Sequence, residues 1–249
     1  MSKKIGEEIE MTLESLKRRG IDARFAENRE IARKMIADMV PENWIVGCGD
    51  STTIRSTGVL QDLVDMGNRV LNPFIWPKIM REKPQKWPLR LMKQTSQGCD
   101  VFLASSIVTQ DGKLVNIDGG GMRATGMVFG PLLSIVVVGK NKIVRDVNEA
   151  LDRIKNVIAP VHAKTIGWDC PCVAAGKCVE PETLCEPERS ICNIIVILER
   201  KPAGTEIEIA VIIVDEDLGL GWDPAWPQER KNKILAEYKE FTPPHMPRH

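Results

Sequence analysis

The chain has 249 residues, 43% of them hydrophobic and 27% charged, which supplies an ordinary core without help from metal or disulfides. Lysine plus arginine (34) balances aspartate plus glutamate (34), and the two signs are interspersed, which excludes a basic footprint for nucleic acid. The segment MSKKIGEEIEMTLESLKRRG has no signal-peptide core, and nothing later reaches the roughly twenty apolar residues of a membrane span, so a cytoplasmic protein with reduced thiols is expected.

Ile5, Ile9, Leu13 and Leu16 recur at helical spacing up to Gly20, and Ile31, Met35, Ile36 and Met39 repeat the pattern before Pro41. Two amphipathic helices are therefore predicted ahead of the first buried strand, Trp44-Ile45-Val46. That strand runs into Gly47-Cys48-Gly49-Asp50-Ser51-Thr52-Thr53 and a helix ending at Gly67, the first half of a βαβ unit, with Val70-Leu71 as a short second strand. Residues 73–88 turn irregular, with four prolines among Trp76, Lys78, Arg81, Lys83, Lys86 and Trp87. They read either as a lid that captures anions near a pocket or as a solvated surface loop.

Residues 101–104 form a predicted strand, and residues 107–115 a hairpin turning at Asp111-Gly112. A glycine-rich stretch follows at 116–123, then a helix to Phe129. The β-branched run at 135–139 suits a strand covered on both faces, as in parallel sheets. Residues 144–157 read as a helix stopping before Pro160. Residues 193–198 and 207–214 are strand-like and are expected to pair as a hairpin. The tail carries Trp222, Trp226, Tyr238 and a short helix at 231–239; its aromatics either pack back on the domain or dock a second subunit in a homo-oligomer. The predicted fold class is α/β, a mostly parallel sheet with helices on both faces, in one domain over 1–215 with a tail over 216–249.

In such a sheet the loops after the strands gather at one edge, where ligands bind. Gly47, Gly49, Ser51 and Thr52 at a helix start offer backbone N–H groups and hydroxyls to a phosphate or carboxylate, although Ser51 or Thr52 as a plain helix cap is the alternative. Asn116, Asp118, Gly119, Gly120 and Arg123 form the second site, where successive glycines allow close approach of a ligand. Asp118 and Asp50 are the acid–base candidates, with Arg123 and backbone amides facing developing negative charge. His162, a few residues before the cysteine segment, reads as a metal ligand, as a support behind the ligands or, preferred because it has no partner identifiable from sequence, as ordinary surface.

Five of the seven cysteines, Cys170, Cys172, Cys178, Cys185 and Cys192, crowd into DCPCVAAGKCVEPETLCEPERSIC, within a predicted cysteine-rich segment over 168–193. Massed on a polar loop, they read as ligands for zinc or an iron-sulfur cluster, against reduced surface thiols. Neither the paired C-x₂-C of a zinc ribbon nor a ferredoxin spacing is present, so spacing does not separate the metals. Cys99, beside a strand, reads as core.

The run VFLASSIVTQDGKLVNIDG from Val101, then Arg123, Phe129-Gly130-Pro131, Val138-Gly139, Asn141-Lys142-Ile143-Val144, Arg153, Asn156, Ala159-Pro160, Gly176-Lys177-Cys178 and the stretch from Cys185 to Asn193 resembles the lactate-utilisation (LUD) domain family. The resemblance covers most of residues 1 to about 215. It implies a fold similar to the ribose-5-phosphate isomerase, CoA-transferase and formyltetrahydrofolate cyclo-ligase group, whose glycine loops line a pocket for an anionic substrate. Many relatives carry a glutamate after the first motif, where this chain has Arg55-Ser56-Thr57-Gly58. Cys172, Cys178, Cys185 and Cys192 look like the family's four-cysteine set, with Cys170 an additional thiol, and four thiolates satisfy either a four-iron four-sulfur cluster or zinc. Three functions follow as expectations: an enzyme acting on a small organic acid, sugar phosphate or acyl thioester; an iron-sulfur redox subunit of a lactate or organic-acid oxidation system with an electron-transfer partner; or a zinc-stabilised binding module.

Overall fold

The computed structural model describes residues 5–72, 89–180 and 185–242. The lid reading of residues 73–88, and the histidines at 245 and 249, lie outside them.

Apolar runs too dense for alternation build the centre. Strands β1 (Asp22–Ala26), β2 (Ile45–Cys48), β3 (Arg69–Leu71), β4 (Val101–Ala104), β7 (Leu133–Gly139) and β10 (Glu208–Val214) form a sheet in the order β1-β10-β7-β4-β2-β3. Every pairing in it is parallel, with Ile135 opposite Ala210 and Leu103 opposite Ile135 in the middle. β7 is buried from Ser134 to Gly139, as a strand covered on both faces requires. One face packs on Leu13, Leu16, Phe102 and Met127, the other on Ile36, Ile54, Leu63 and Leu103.

Helices α1 (Glu7–Arg18), α2 (Arg29–Met39), α3 (Thr52–Thr57), α4 (Val59–Asp65), α5 (Leu89–Gln97) and α6 (Met122–Val128) flank the sheet. The helix expected from Thr53 to Gly67 is two, broken where Gly58 takes φ 77°. Between α1 and α2 lies β1, absent from the prediction. Its DARFA sequence places Asp22 and Arg24 on an exposed face, and as an edge strand it needs only Ala23 and Ala26 buried.

A second sheet, in the order β8-β5-β6-β9, holds β5 (Ile107–Thr109), β6 (Leu114–Asp118), β8 (Ile143–Val144) and β9 (Ile194–Leu198). The Asp-Gly hairpin is present, with Ile107 opposite Val115 and Gly112 at φ 87°. The second expected hairpin is not: β9 pairs antiparallel with β6, while β10 lies between β1 and β7 in the larger sheet. Sequence adjacency misleads here because Pro202 and Gly204 end one strand without forcing a tight return, and the buried run at 209–214 satisfies a central parallel position better than an edge.

The helical stretch from Val147 does not stop at Pro160. It runs α7 (Val147–Arg153), a π-helical turn (Ile154–Ile158) and α8 (Ala159–Ile166). The widened turn carries Pro160 into the first positions of α8, where its missing N–H leaves nothing unsatisfied. A short helix α9 (Pro171–Ala175) opens the cysteine segment, and α10 (Gln228–Glu240) closes the tail and packs back through Ile234 and Tyr238. No helix among the described residues is long and apolar enough to cross a membrane.

Candidate functional site

The carboxyl ends of four parallel strands open into one cavity of about 450 Å³. β2 delivers Asp50, Ser51, Thr52 and Thr53; β4 delivers Ser105 and Ser106; β7 delivers Lys142; the loop after β10 delivers Gly219 and Leu220. The far wall comes from β6 and its glycine loop, with Asn116, Asp118, Gly119, Gly120 and Arg123, and from His162 on α8 and Tyr238 on α10. Both predicted loops therefore meet at one site: the parallel sheet brings the first there, and β6 of the second sheet brings the other.

Within the first loop the glycines serve packing. Gly47 and Gly49 do not line the cavity. A Cβ at Gly47 would sit 1.9 Å from the Thr95 carbonyl oxygen, so its absence lets α5 lie against β2. Ser51 is the cap of α3, its hydroxyl accepting from the Ile54 N–H at 3.2 Å. The Thr52 hydroxyl lies 3.1 Å from that of Thr242 and accepts from Arg55 Nη2. Ser51 and Thr52 line the cavity, while Gly47 and Gly49 stand behind it. Cys48, fully buried, has its thiol pushed up to about 12 by burial and is inert.

Asp50 pairs with Arg55 at 2.7 Å, and its other oxygen lies 3.9 Å from His162 Nε2. His162 Nδ1 is 2.5 Å from the Tyr238 hydroxyl, and burial, followed by the nearby Asp50 charge, pushes the Tyr238 phenol well above its usual range. Sequence reading placed His162 on the surface because its partners arrive from residues 50 and 238, far away in the chain. Only the location of Tyr238 in an amphipathic tail helix hinted at docking.

In the second loop, Asp118 Oδ1 accepts from the Gly120 and Gly121 N–H groups at 3.1 Å each, and Oδ2 from the Ala124 N–H at 3.0 Å. Burial pushes this carboxyl up, but the Arg123 charge and the three N–H groups outweigh it and hold it below the carboxylate range. A carboxylate so held is a weak proton acceptor; its geometry is that of a clasp on the glycine loop and α6. Asn116 donates to Ser106 Oγ at 2.9 Å. Arg123 donates through Nη2 to the Ile117 carbonyl at 2.6 Å, while its buried Nε has no hydrogen-bond partner among the described residues.

Lys142 was not singled out from sequence, where it sits in a charged Lys-Asn-Lys run. A 3₁₀ turn (Lys140–Lys142) after β7 turns it inward, and the residue is 7% exposed. Its Nζ donates to Thr53 Oγ1 at 2.6 Å and Ser105 Oγ at 2.7 Å. Burial, then the positive charge of Arg123, pulls its pKa down to about 7. Asn141, fully buried, fixes this turn: its Oδ1 accepts from the Leu218 N–H at 2.9 Å and its Nδ2 donates to the Gly219 carbonyl at 3.0 Å.

The cysteine segment borders the same cavity through Cys192. Asn193 ties it to the glycine loop, its N–H donating to the Asp118 carbonyl at 3.0 Å and its Nδ2 to the Gly119 carbonyl at 3.1 Å. The thiols lie in one electrostatic neighbourhood. Burial, then the neighbouring Cys172 and Cys178, pushes Cys192 up to about 12, and Cys170 rises likewise through burial, Cys172 and Cys185. Cys170 is buried and donates to the Arg189 carbonyl at 2.7 Å, which leaves Cys172, Cys178, Cys185 and Cys192 as the more accessible thiols. Among the described residues no three His, Cys, Asp or Glu side chains are arranged to hold a metal ion. Cys99 is core, its thiol pushed up to about 11 by burial.

Fold and site together define an α/β domain with a ligand-sized, partly charged cavity at the carboxyl edge of a parallel sheet. The LUD domain family model matches residues 9–214, and the chain belongs to that family. Among solved structures, a DUF162 family protein from Deinococcus radiodurans is similar, at 15% identity and a TM-score of 0.47, over 85% of this chain and 99% of that one. A comparison with curated proteins finds no match.

Proposed function

We propose that the chain is an enzyme that binds a small anionic organic molecule, an organic acid, sugar phosphate or acyl thioester, in the cavity at the carboxyl edge of the parallel sheet. The observation that carries this reading is the convergence of Asp50, Arg123, Lys142, His162 and Tyr238, from five separate segments, on one cavity of about 450 Å³. That volume falls in the range of small-molecule sites, and the Arg123 guanidinium, whose buried Nε has no partner among the described residues, favours negative charge in the ligand. His162 and Asp50, with Tyr238 on the imidazole, supply a group able to take and return a proton, a role that Asp118 fills less well. The test is turnover of a panel of carboxylates, phosphorylated sugars and acyl thioesters. Loss of turnover in His162→Gln and Asp50→Asn with the fold intact supports the reading, and turnover unaffected by both variants removes it.

The second reading, an iron-sulfur redox subunit with an electron-transfer partner, is favoured by the gathering of Cys172, Cys178, Cys185 and Cys192 beside the cavity. The four thiols suit a four-iron four-sulfur cluster as ligands, and a bound cluster would supply one-electron transfer at the cavity mouth. A single zinc, and with it the binding-module reading, would draw the same four thiols to one point. Iron and acid-labile sulfide, measured on protein purified without oxygen, distinguish the two: both in stoichiometric amount support the cluster, zinc alone supports the module, and neither removes the ligand-set reading.

A further inference from the structure

The amine of Lys142 lines the cavity, and the acid–base reading does not use it. Its environment is unusual for a lysine. It is buried, it lines the cavity, and no carboxylate among the described residues forms an ion pair with it. Instead Nζ donates to two neutral hydroxyls, Thr53 Oγ1 and Ser105 Oγ. Thr53 Oγ1 in turn donates to the Leu218 carbonyl at 3.3 Å, so it acts toward Lys142 as an acceptor. A neutral amine has two N–H bonds and one lone pair. Two acceptors occupy the two N–H bonds and leave the lone pair over, whereas an ammonium would carry a third N–H with no acceptor among the described residues.

The surroundings hold that arrangement. Asn141 sews the turn to the loop after β10. Gly219, at φ 67°, lies where a Cβ would be 2.6 Å from Thr53 Oγ1 and 3.2 Å from Nζ, so any side chain there would displace the amine. The carboxylates on the cavity wall are engaged elsewhere, Asp118 by three backbone N–H groups and Asp50 by Arg55, while the positive charge facing Lys142 is Arg123. Burial and that charge bring the amine's pKa down to about 7, so that about half of it is unprotonated at pH 7, where an ordinary lysine is almost wholly charged.

We propose that Lys142 forms an imine with a small aldehyde or ketone that carries an anionic group, the anion facing Arg123 and the carbonyl carbon meeting Nζ. The nitrogen lone pair forms the N–C bond as the carbonyl π pair moves to oxygen, and one N–H proton passes to that oxygen to give a carbinolamine. Loss of the hydroxyl with the second N–H proton yields the C=N bond and one water, with no change of oxidation state. The proposal rests on the anion-binding reading of the cavity and narrows its substrate to carbonyl compounds.

The experiment uses the full chain with glyoxylate, the smallest carbonyl compound bearing a carboxylate, and sodium cyanoborohydride to reduce any imine, followed by peptide mass mapping. Heat stability with glyoxylate alone is measured in parallel. At about pH 7.5 the reduced adduct on Lys142 is expected to exceed that on an exposed lysine by about a hundredfold, because an ordinary lysine is almost wholly protonated there. The adduct is expected to vanish in Lys142→Arg, whose fold is checked by circular dichroism, without appearing on another cavity residue. Stabilisation by glyoxylate with adducts only on exposed lysines would overturn the imine and leave the anion cavity standing. Neither stabilisation nor adduct at Lys142 would overturn both.

Discussion

Lys142 is the residue on which the proposed imine turns, and its ionisation couples to folding. In the unfolded chain it titrates as an ordinary lysine near 10.5, whereas in the fold burial and Arg123 bring it down to about 7. Between those values the unfolded state binds the extra proton, so the native state loses stability as pH falls from about 10.5 toward 7, and the full penalty is present below 7. Lys142→Met removes the titrating group. Its melting temperature, relative to the parent, is expected to be most favourable at and below neutral pH, with the advantage shrinking as pH rises toward 10; an advantage independent of pH would contradict the depressed amine. Asp118 behaves in the opposite sense. Its carboxyl is held low, so the stability it contributes is present above the unfolded value of 3.8 and lost as pH falls through the folded one. Asp118→Asn trades accepting oxygens for an amide N–H facing backbone N–H groups, and should cost about 1–3 kcal/mol in denaturant melts.

At the level of elements, two contacts decide whether the cavity exists at all. β2 and α5 approach so closely at Gly47 that an alanine Cβ would overlap the Thr95 carbonyl. Gly47→Ala is expected to cost about 3 kcal/mol or more, because backbone on both sides must move. Asn141 joins the turn after β7 to the loop after β10, and Asn141→Ala leaves a buried N–H and a buried carbonyl unpaired. A loss of about 2–3 kcal/mol, read from urea unfolding, is expected. Legibility in the sequence followed the same division. The dense run in β7, the Asp-Gly hairpin and the strand-turn-helix after β2 were readable because each is determined by local pattern. β1 was not, since DARFA is half polar and is specified by the edge of a sheet that distant residues build. The separation of β9 from β10 was equally hidden, because which strand a buried run pairs with depends on the whole sheet.

For the whole molecule, topology did most of the prediction of the site and chemistry little of it. A parallel sheet collects its loops at one edge, which places Asp50 and Ser51 there, while Asn116, Asp118 and Arg123 reach the same cavity from β6 of the second sheet, a placement the parallel rule does not supply. What each does once there depends on its partners, which the sequence does not order: Ser51 caps a helix, Asp118 clasps a loop, and Gly47 makes room for α5. His162, Tyr238 and Lys142 were missed for the same reason in reverse, their neighbours being supplied by segments up to the far end of the chain. The cysteine segment belongs at this scale too, since Asn193 links it to the glycine loop that forms the cavity wall. Cys172→Ser and Cys192→Ser together are expected to lower iron and sulfide content on the cluster reading while leaving far-ultraviolet dichroism unchanged, since the main cores lie elsewhere.

The central claim is that the cavity holds a small organic anion, and calorimetric titration of small carboxylates, phosphorylated sugars and acyl thioesters into the parent and into Arg123→Gln tests it most directly. Saturable binding of at least one of these classes by the parent, weakened about tenfold or more in the variant by loss of a charged hydrogen bond, is the predicted result. Equal binding by both proteins, or no binding to a folded parent, would contradict it.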